Sequence, residues 1–458
     1  MNNTQRIRQP LPVRRQVAFA QKPDRSSVVR VGLATVLLYL ILVPQQFNIT
    51  LGSFYLSPYR IFLLGATIYL MTSALSKNLR FVWPDVFLIL SIIWITLASY
   101  MTSGLLTTAM VQGGSHLVDI GLAYFLARAT IQSPTDLRRF LILAAPGVAF
   151  TGVMVFAEAV THQHIVQSIA SAVTGNPGPV RADVRLGFMR GMASFPHPIL
   201  AGIFLASFVP IYMLSGLRGL PKFLGWVGSM FAAFTMSSAA LLGLVVGLAM
   251  YGYDWLTERF FNLTWRLFLS FTGLAYVVIE LSSNTGFYGL LVRYASLNSV
   301  SAYNRVLIWK YGSQNVAENP WFGIGYADWD RPDWMHSDSF DWFWLIVALR
   351  FGIPATVFIL GAAMLAIGTV AWKSRQMAAA DARLLRGVAI SLGVFSLGLN
   401  SVSLWLTTLA WYFMLVGIAV SLGTYTQRQA RPAGRRVMIW KPHPAEGAPP
   451  ARRPPARA

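Results

Sequence analysis

The chain has 458 residues, of which 55% are hydrophobic and only 12% charged, with a formal net charge of +20 and a mean hydropathy of +0.53. A soluble domain carries about 25% charged residues, so a water-soluble globular fold is excluded. The basic excess then marks cytoplasmic membrane loops rather than a nucleic-acid surface, and the lack of any cysteine rules out disulfides and thiolate metal sites.

The first 30 residues are polar and Arg-rich, and the apolar run behind them is long enough to span and is followed by no small-residue cleavage site. That predicts a cytoplasmic tail over 1–30 and an uncleaved first helix. Spans are expected near 31–47, 59–76, 82–101, 113–131, 138–160, 197–216, 223–236, 239–255, 265–282, 341–371, 388–402 and 404–424. The expected fold is thus an all-α polytopic membrane protein, a bundle of about 12 transmembrane helices over 31–425. Two long outer loops interrupt it, at about 161–196 and 283–340. The stretch 426–458 is rich in Pro, Ala and Arg, cannot build a core, and is expected to be a disordered cytoplasmic tail that anchors topology or meets anionic lipid.

With both termini inside, all but nine of the 37 Lys and Arg fall on the cytoplasmic side, as the positive-inside rule requires. The nine are Arg60, Arg181, Arg185, Arg190, Arg293, Arg305, Lys310, Arg331 and Arg350. Arg60 apart, they belong to the two outer loops or to the helix after the second. Topology pushes basic residues off that side, so those kept there point to an anionic ligand such as a phosphate, to which Arg makes forked hydrogen bonds.

The second loop runs into the densest polar and aromatic stretch of the chain. Between Asn319 and Leu345 stand Asp328, Asp330, Asp333, Asp338, Asp341 and His336, among Trp321, Trp329, Trp334, Trp342 and Trp344. Aromatic faces suit sugars and the membrane interface alike. Asp328-Trp329-Asp330 has the form of a D-x-D metal motif, but hard cations need more oxygen ligands, and no metal is expected. His162 and His164 are expected in a solvated loop, and His197, between prolines at a helix entry, as a cap. Asp119 and Glu158 fall inside expected spans, where a carboxylate is a functional hypothesis by default, and Glu158 is placed to meet Arg190.

The run "NRVLIWKYGSQNVAENPWFGIGY" resembles the loop segment of the O-antigen ligase and Wzy-type polysaccharide polymerase superfamily: Arg305, then Ile308-Trp309, then Asn319-Pro320 with Gly323 and Gly325. "RGMASFPHPILAG", from Arg190 to Gly202, is similar to the family's earlier Arg followed by Phe-x-His-Pro. The resemblance implies a GT-C-like membrane glycosyltransferase at the periplasmic face of the bacterial inner membrane. Its donor would be an undecaprenyl-pyrophosphate-linked glycan, with no cofactor and no metal. A polymerase of repeat units is the reading preferred; an O-antigen ligase acting on lipid A core, or a lipid-linked oligosaccharide flippase, is the alternative. Beyond the bilayer, chain-length regulator and export proteins are the partners implied.

By the same resemblance Arg190, Arg305 and Arg293 would bind pyrophosphate, with Arg185 and Glu158 in support. The base is His336 or Asp341. The family's His falls eleven residues before the helix glycine, which is Asp341 when counted back from Gly352, while His336 lies five residues earlier. That displacement favours a polymerase. An imidazole titrates near neutrality; Asp341 would need its pKa raised by apolar surroundings.

Overall fold

In lipid an apolar chain satisfies its backbone polar groups as helix, and prolines, glycines and buried charges decide where each helix stops. The computed structural model describes residues 25–52, 54–75, 81–178, 183–260, 263–283, 299–335 and 339–426. Helix α1 (Arg25–Ile41) leads to an antiparallel hairpin, β1 (Ile49–Leu51) and β2 (Phe54–Leu56), with Ile49 opposite Leu56. After α2 (Pro58–Leu75) and α3 (Trp83–Ser103), α4 (Leu106–His116) passes through a π-helical turn, Leu117–Leu122, into α5 (Ala123–Thr130). Next come α6 (Pro134–Thr161), α7 (Ile165–Thr174) and a second hairpin, β3 (Val184–Arg185) with β4 (Phe188–Met189). Then follow α8 (Pro198–Leu214), α9 (Leu220–Met230) with a 3-10 turn Phe231–Thr235, α10 (Ser238–Arg259) and α11 (Trp265–Ser282). The described helices end with α12 (Ser299–Glu318), α13 (Phe343–Phe351), α14 (Ile353–Ser374), α15 (Ala379–Gly398) and α16 (Leu406–Gly423).

The all-α, polytopic character stands, but the expected count of about twelve spans does not. Among the described residues six helices are long and apolar enough to cross a membrane: α3, α6, α10, α11, α14 and α16. The remaining apolar runs are cut short for visible reasons. Pro198 and Pro210 bound and punctuate α8, which has 17 residues. The 223–236 run breaks where α9 tightens into its 3-10 turn, and the 113–131 run breaks at the π turn. Gly352 divides the expected 341–371 span into a nine-residue α13 and α14. Charge intrudes elsewhere, with Arg60 in the first turn of α2 and Asp381, Arg383 and Arg386 in the first half of α15.

The described residues up to Tyr425 form a first unit, and Thr426 begins a second. In the first, α16 is the central pillar and α8 is buried along nearly its whole length, whereas α11 has no buried residue. The Trp411 ring on α16 stacks on Phe208 at 4.6 Å, and its indole N–H donates to the Ser207 hydroxyl at 3.0 Å. Small residues let backbones approach where lipid supplies no hydrophobic drive: a Cβ on Gly152 of α6 would collide with the Gly228 carbonyl of α9.

Charges inside the bundle are paired, as their desolvation demands. Asp85 accepts from Arg128 and from the Tyr124 hydroxyl. Asp119, in the π turn, meets Arg60 at 2.5 Å and the Tyr59 hydroxyl at 2.9 Å, which gives that carboxylate a structural role.

A smaller apolar cluster forms between α12, α13 and the 319–342 connection, around Ile308, Trp329, Phe340 and Trp342. Trp342 stacks on Trp309 at 4.6 Å, and Trp329 meets Phe340 edge-on at 5.0 Å. Of the five Trp in this stretch, these two are core, while Trp321 and Trp334 are exposed. The D-x-D triplet is held by local contacts, through one carboxylate and one backbone unit. Asp328 pairs with Arg331 at 2.5 Å, and the Asp330 backbone exchanges hydrogen bonds with the Asn315 amide at 2.8 Å each way. No cluster of side chains able to hold a metal occurs among the described residues.

Candidate functional site

The break at Gly352 organises the site. Gly352 has φ +84°, and a Cβ there would overlap the Trp321 carbonyl. The turn Asn319–Gly325 docks against the end of α13 at this point. Ile324 N–H donates to the Leu349 carbonyl at 2.8 Å, Gly325 N–H to the Arg350 carbonyl at 3.1 Å, and Ile353 N–H to the Pro320 carbonyl at 2.8 Å. The Trp94 indole N–H of α3 bridges the Phe351 carbonyl at 3.0 Å and the Trp321 carbonyl at 3.2 Å, its ring stacked on Phe322. Gly323, at φ +67°, faces the Leu349 carbonyl with no room for a Cβ. The Asn-Pro-x-x-Gly-x-Gly pattern is therefore a backbone clamp that satisfies the open carbonyls of a helix end.

What the clamp holds in place is Arg350. Its guanidinium lies over the Tyr326 ring, 4.4 Å from the centroid, a stacking that suits Arg's planar fork. Burial raises the Tyr326 pKa and the adjacent Arg350 opposes the shift, so the phenol stays protonated at neutral pH.

Both residues line a cavity of about 700 Å³, whose other polar walls include His116, His197 and Asp341. His116 ends α4, which lies so close to α3 that a Cβ on Gly113 would strike Thr96. The His116 Nδ1 is 2.8 Å from the Gln112 carbonyl, and the ring meets Phe351 edge-on at 5.2 Å. A carbonyl only accepts, so Nδ1 carries the proton and Nε2 the lone pair. His197 is the N-cap of α8, its Nδ1 accepting from the Ile199 N–H at 3.2 Å, and in the neutral ring the proton then sits on Nε2. Asp341 is half-buried on a stretch tied down on both sides: the Ser403 hydroxyl donates to the Phe340 carbonyl, and the Phe343 N–H donates to the Leu399 carbonyl at 2.9 Å.

Of the expected site residues that are described, Asp341 alone lines this cavity. Arg305 is buried on α12 beside the smaller apolar cluster. Arg190 is buried next to β4, with Nη1 3.2 Å from Asp183 and Nε 3.4 Å from the Thr235 carbonyl. Arg185 donates to the Met236 carbonyl at 3.3 Å.

Glu158, fully buried near the end of α6, accepts from the N–H groups of Met192 and Ala193 at 2.9 Å each and of Val166 at 3.2 Å, so it pins the 161–196 segment. Arg293 and His336 lie outside the described residues. Sequence reasoning gave no role to His116 and did not single out Arg350 from the other outer basic residues. The signals were a histidine a few residues into an expected span, and one of the nine basic residues placed just before a glycine break.

Residues 223–360 match the family described as O-Antigen ligase (Wzy_C). The match takes in Arg305, Asp341 and Arg350 and the clamp between them, whereas Glu158, Arg190, His197 and His116 precede it. No curated protein matches the chain.

Proposed function

We propose, from the premise that a polytopic inner-membrane protein with an O-antigen ligase/polymerase domain is an enzyme of lipid-linked glycan metabolism, that this cavity is where a glycan leaves its pyrophosphate carrier. In that reaction an acceptor hydroxyl oxygen bonds to the anomeric carbon. The bond from that carbon to the pyrophosphate oxygen breaks, and its electron pair leaves with the lipid pyrophosphate. Negative charge grows on the leaving group, and a guanidinium already held in position stabilises it without reorganisation.

Arg350 is the observation that carries this reading: a cation on the cavity wall, stacked on Tyr326 and fixed by the clamp that the family pattern encodes. Arg190, Arg305 and Arg293 remain proposed pyrophosphate ligands, with Arg185 and Glu158 in support. Arg190 would have to exchange its Asp183 partner for substrate. The acceptor hydroxyl also gives up a proton, for which the sequence pattern offers Asp341, on the cavity wall, and His336.

The family description supports ligation over polymerisation, and lipid A core is the acceptor proposed with it. The polymerase expectation rested on the displaced His336, which is not among the described residues. The charge asymmetry supports a periplasmic site with both termini cytoplasmic. Purified protein in liposomes with an undecaprenyl-pyrophosphate-linked glycan tests this reading. Glycan appearing on added lipid A core, and lost with Arg350→Ala, supports the ligase; lipid-linked ladders without core would make it a polymerase; an unconsumed donor under both conditions would refute glycosyl transfer.

A further inference from the structure

The two imidazoles of the cavity present opposite faces of the same chemistry. On His197 the lone pair of Nδ1 is taken by the Ile199 N–H, so the neutral ring offers only an N–H donor. On His116 the Nδ1 proton is taken by the Gln112 carbonyl, and Nε2 makes no hydrogen bond among the described residues. A neutral imidazole locked in that tautomer is a base with its proton site already chosen. Its location is equally specific. The edge contact to Phe351 places the ring beside the residue that follows Arg350 in the chain, and the π turn that begins at Leu117 is a costly backbone form often found at functional sites. The ionised groups close enough to act on the ring are Asp119, Arg60 and Arg350, and the first two are already paired with each other.

We infer that His116 is a catalytic residue of this cavity, the general base whose Nε2 takes the acceptor hydroxyl proton as the glycosidic bond forms. This assignment rests on the glycosyl-transfer reading above. The electron pair of the breaking anomeric bond leaves on the lipid pyrophosphate, the proton passes to His116 and then to solvent, and no further reactant is needed. Imidazole outranks a carboxylate for this step because its ordinary pKa of about 6.5 lies nearer the working pH than a carboxylate's value of about 4. Burial, which lowers the His116 value, keeps the ring in its neutral, proton-accepting form. Asp341 then holds acceptor hydroxyls, and His197 offers its N–H to an oxygen of the substrate.

The test uses full-length protein in liposomes with lipid-pyrophosphate-linked glycan and acceptor, measuring kcat, donor KM and their pH dependence. For wild type, His116→Gln and Asp341→Asn, the expectation is that His116→Gln lowers kcat by about 10²–10⁴ with little change in donor KM. It should also abolish the fall of kcat toward acid pH, while Asp341→Asn keeps that limb. Imidazole added to His116→Ala restores part of the rate, which a purely structural loss would not allow, and this variant carries the test if the Gln variant does not fold. A His116→Gln enzyme that keeps wild-type kcat and its acid limb, or a His116→Ala enzyme deaf to imidazole, overturns the assignment while leaving glycosyl transfer intact. Wild-type protein that consumes no donor overturns both.

Discussion

Replacing Gly352 by Ala tests whether the clamp positions Arg350. A non-glycine residue at φ +84° carries strain of about 1–3 kcal/mol. The new Cβ would also overlap the Trp321 carbonyl, and this is backbone, so no side chain can swing aside. The turn 319–325 must lift, which gives up the bonds from Ile324, Gly325 and Ile353, each worth about 1 kcal/mol net. Together these amount to roughly 4–6 kcal/mol against local closure of the clamp, comparable to the whole stability of a marginal domain.

Hydrogen exchange of 319–325 in nanodiscs reads that opening directly, and donor KM reads its effect on Arg350. Gly368→Ala is the control. It sits on the same helix α14 with open space around it, and the change should leave both readouts unaltered or stabilise the helix by about 0.5–1 kcal/mol. Should Gly352→Ala exchange as slowly as wild type and keep its donor KM, the clamp does not hold the arginine and the reasoning fails.

Arg350→Lys keeps the charge but loses the planar fork and the stacking on Tyr326, and Arg350→Ala loses everything; transfer rates should fall in that order, the Ala variant by about 10²–10³. Glu158→Gln removes the charge that accepts three backbone N–H bonds, so the 161–196 segment should open more readily by about 1–3 kcal/mol, seen as faster limited proteolysis there. Asp85→Asn leaves Arg128 buried without its counter-charge and should lower stability by about 3–5 kcal/mol in a thermal unfolding series. Arg331 holds the exposed Asp328 carboxyl below its ordinary range. The sign follows: the pair's contribution is complete above the ordinary carboxylate pKa and fades as pH drops through the lowered one. Asp328→Asn should therefore lose that small contribution at neutral pH, converge with wild type at acid pH and flatten the acid end of a stability-versus-pH curve.

Membrane character was written in the composition, because hydropathy and sparse charge need no neighbour to be read. The Asn-Pro-x-x-Gly-x-Gly pattern was legible for a related reason: its glycines answer to backbone constraints local to the turn and its docking partner. The number of membrane-length helices was not legible in this way. An apolar run looks continuous until Gly352, Pro198 or a π turn at Leu117 meets the packing that makes the break worthwhile, and a carboxylate such as Asp119 looks functional until Arg60 and Tyr59 fold onto it. The cavity was the least legible of all. His116, His197, Asp341 and Arg350 come from segments up to 234 positions apart, and helical periodicity tells which residues share a face but not which faces meet. Only the tertiary packing that brings α4, α8 and α13 to one cavity set two imidazoles of opposite tautomer on the same walls as one stacked guanidinium.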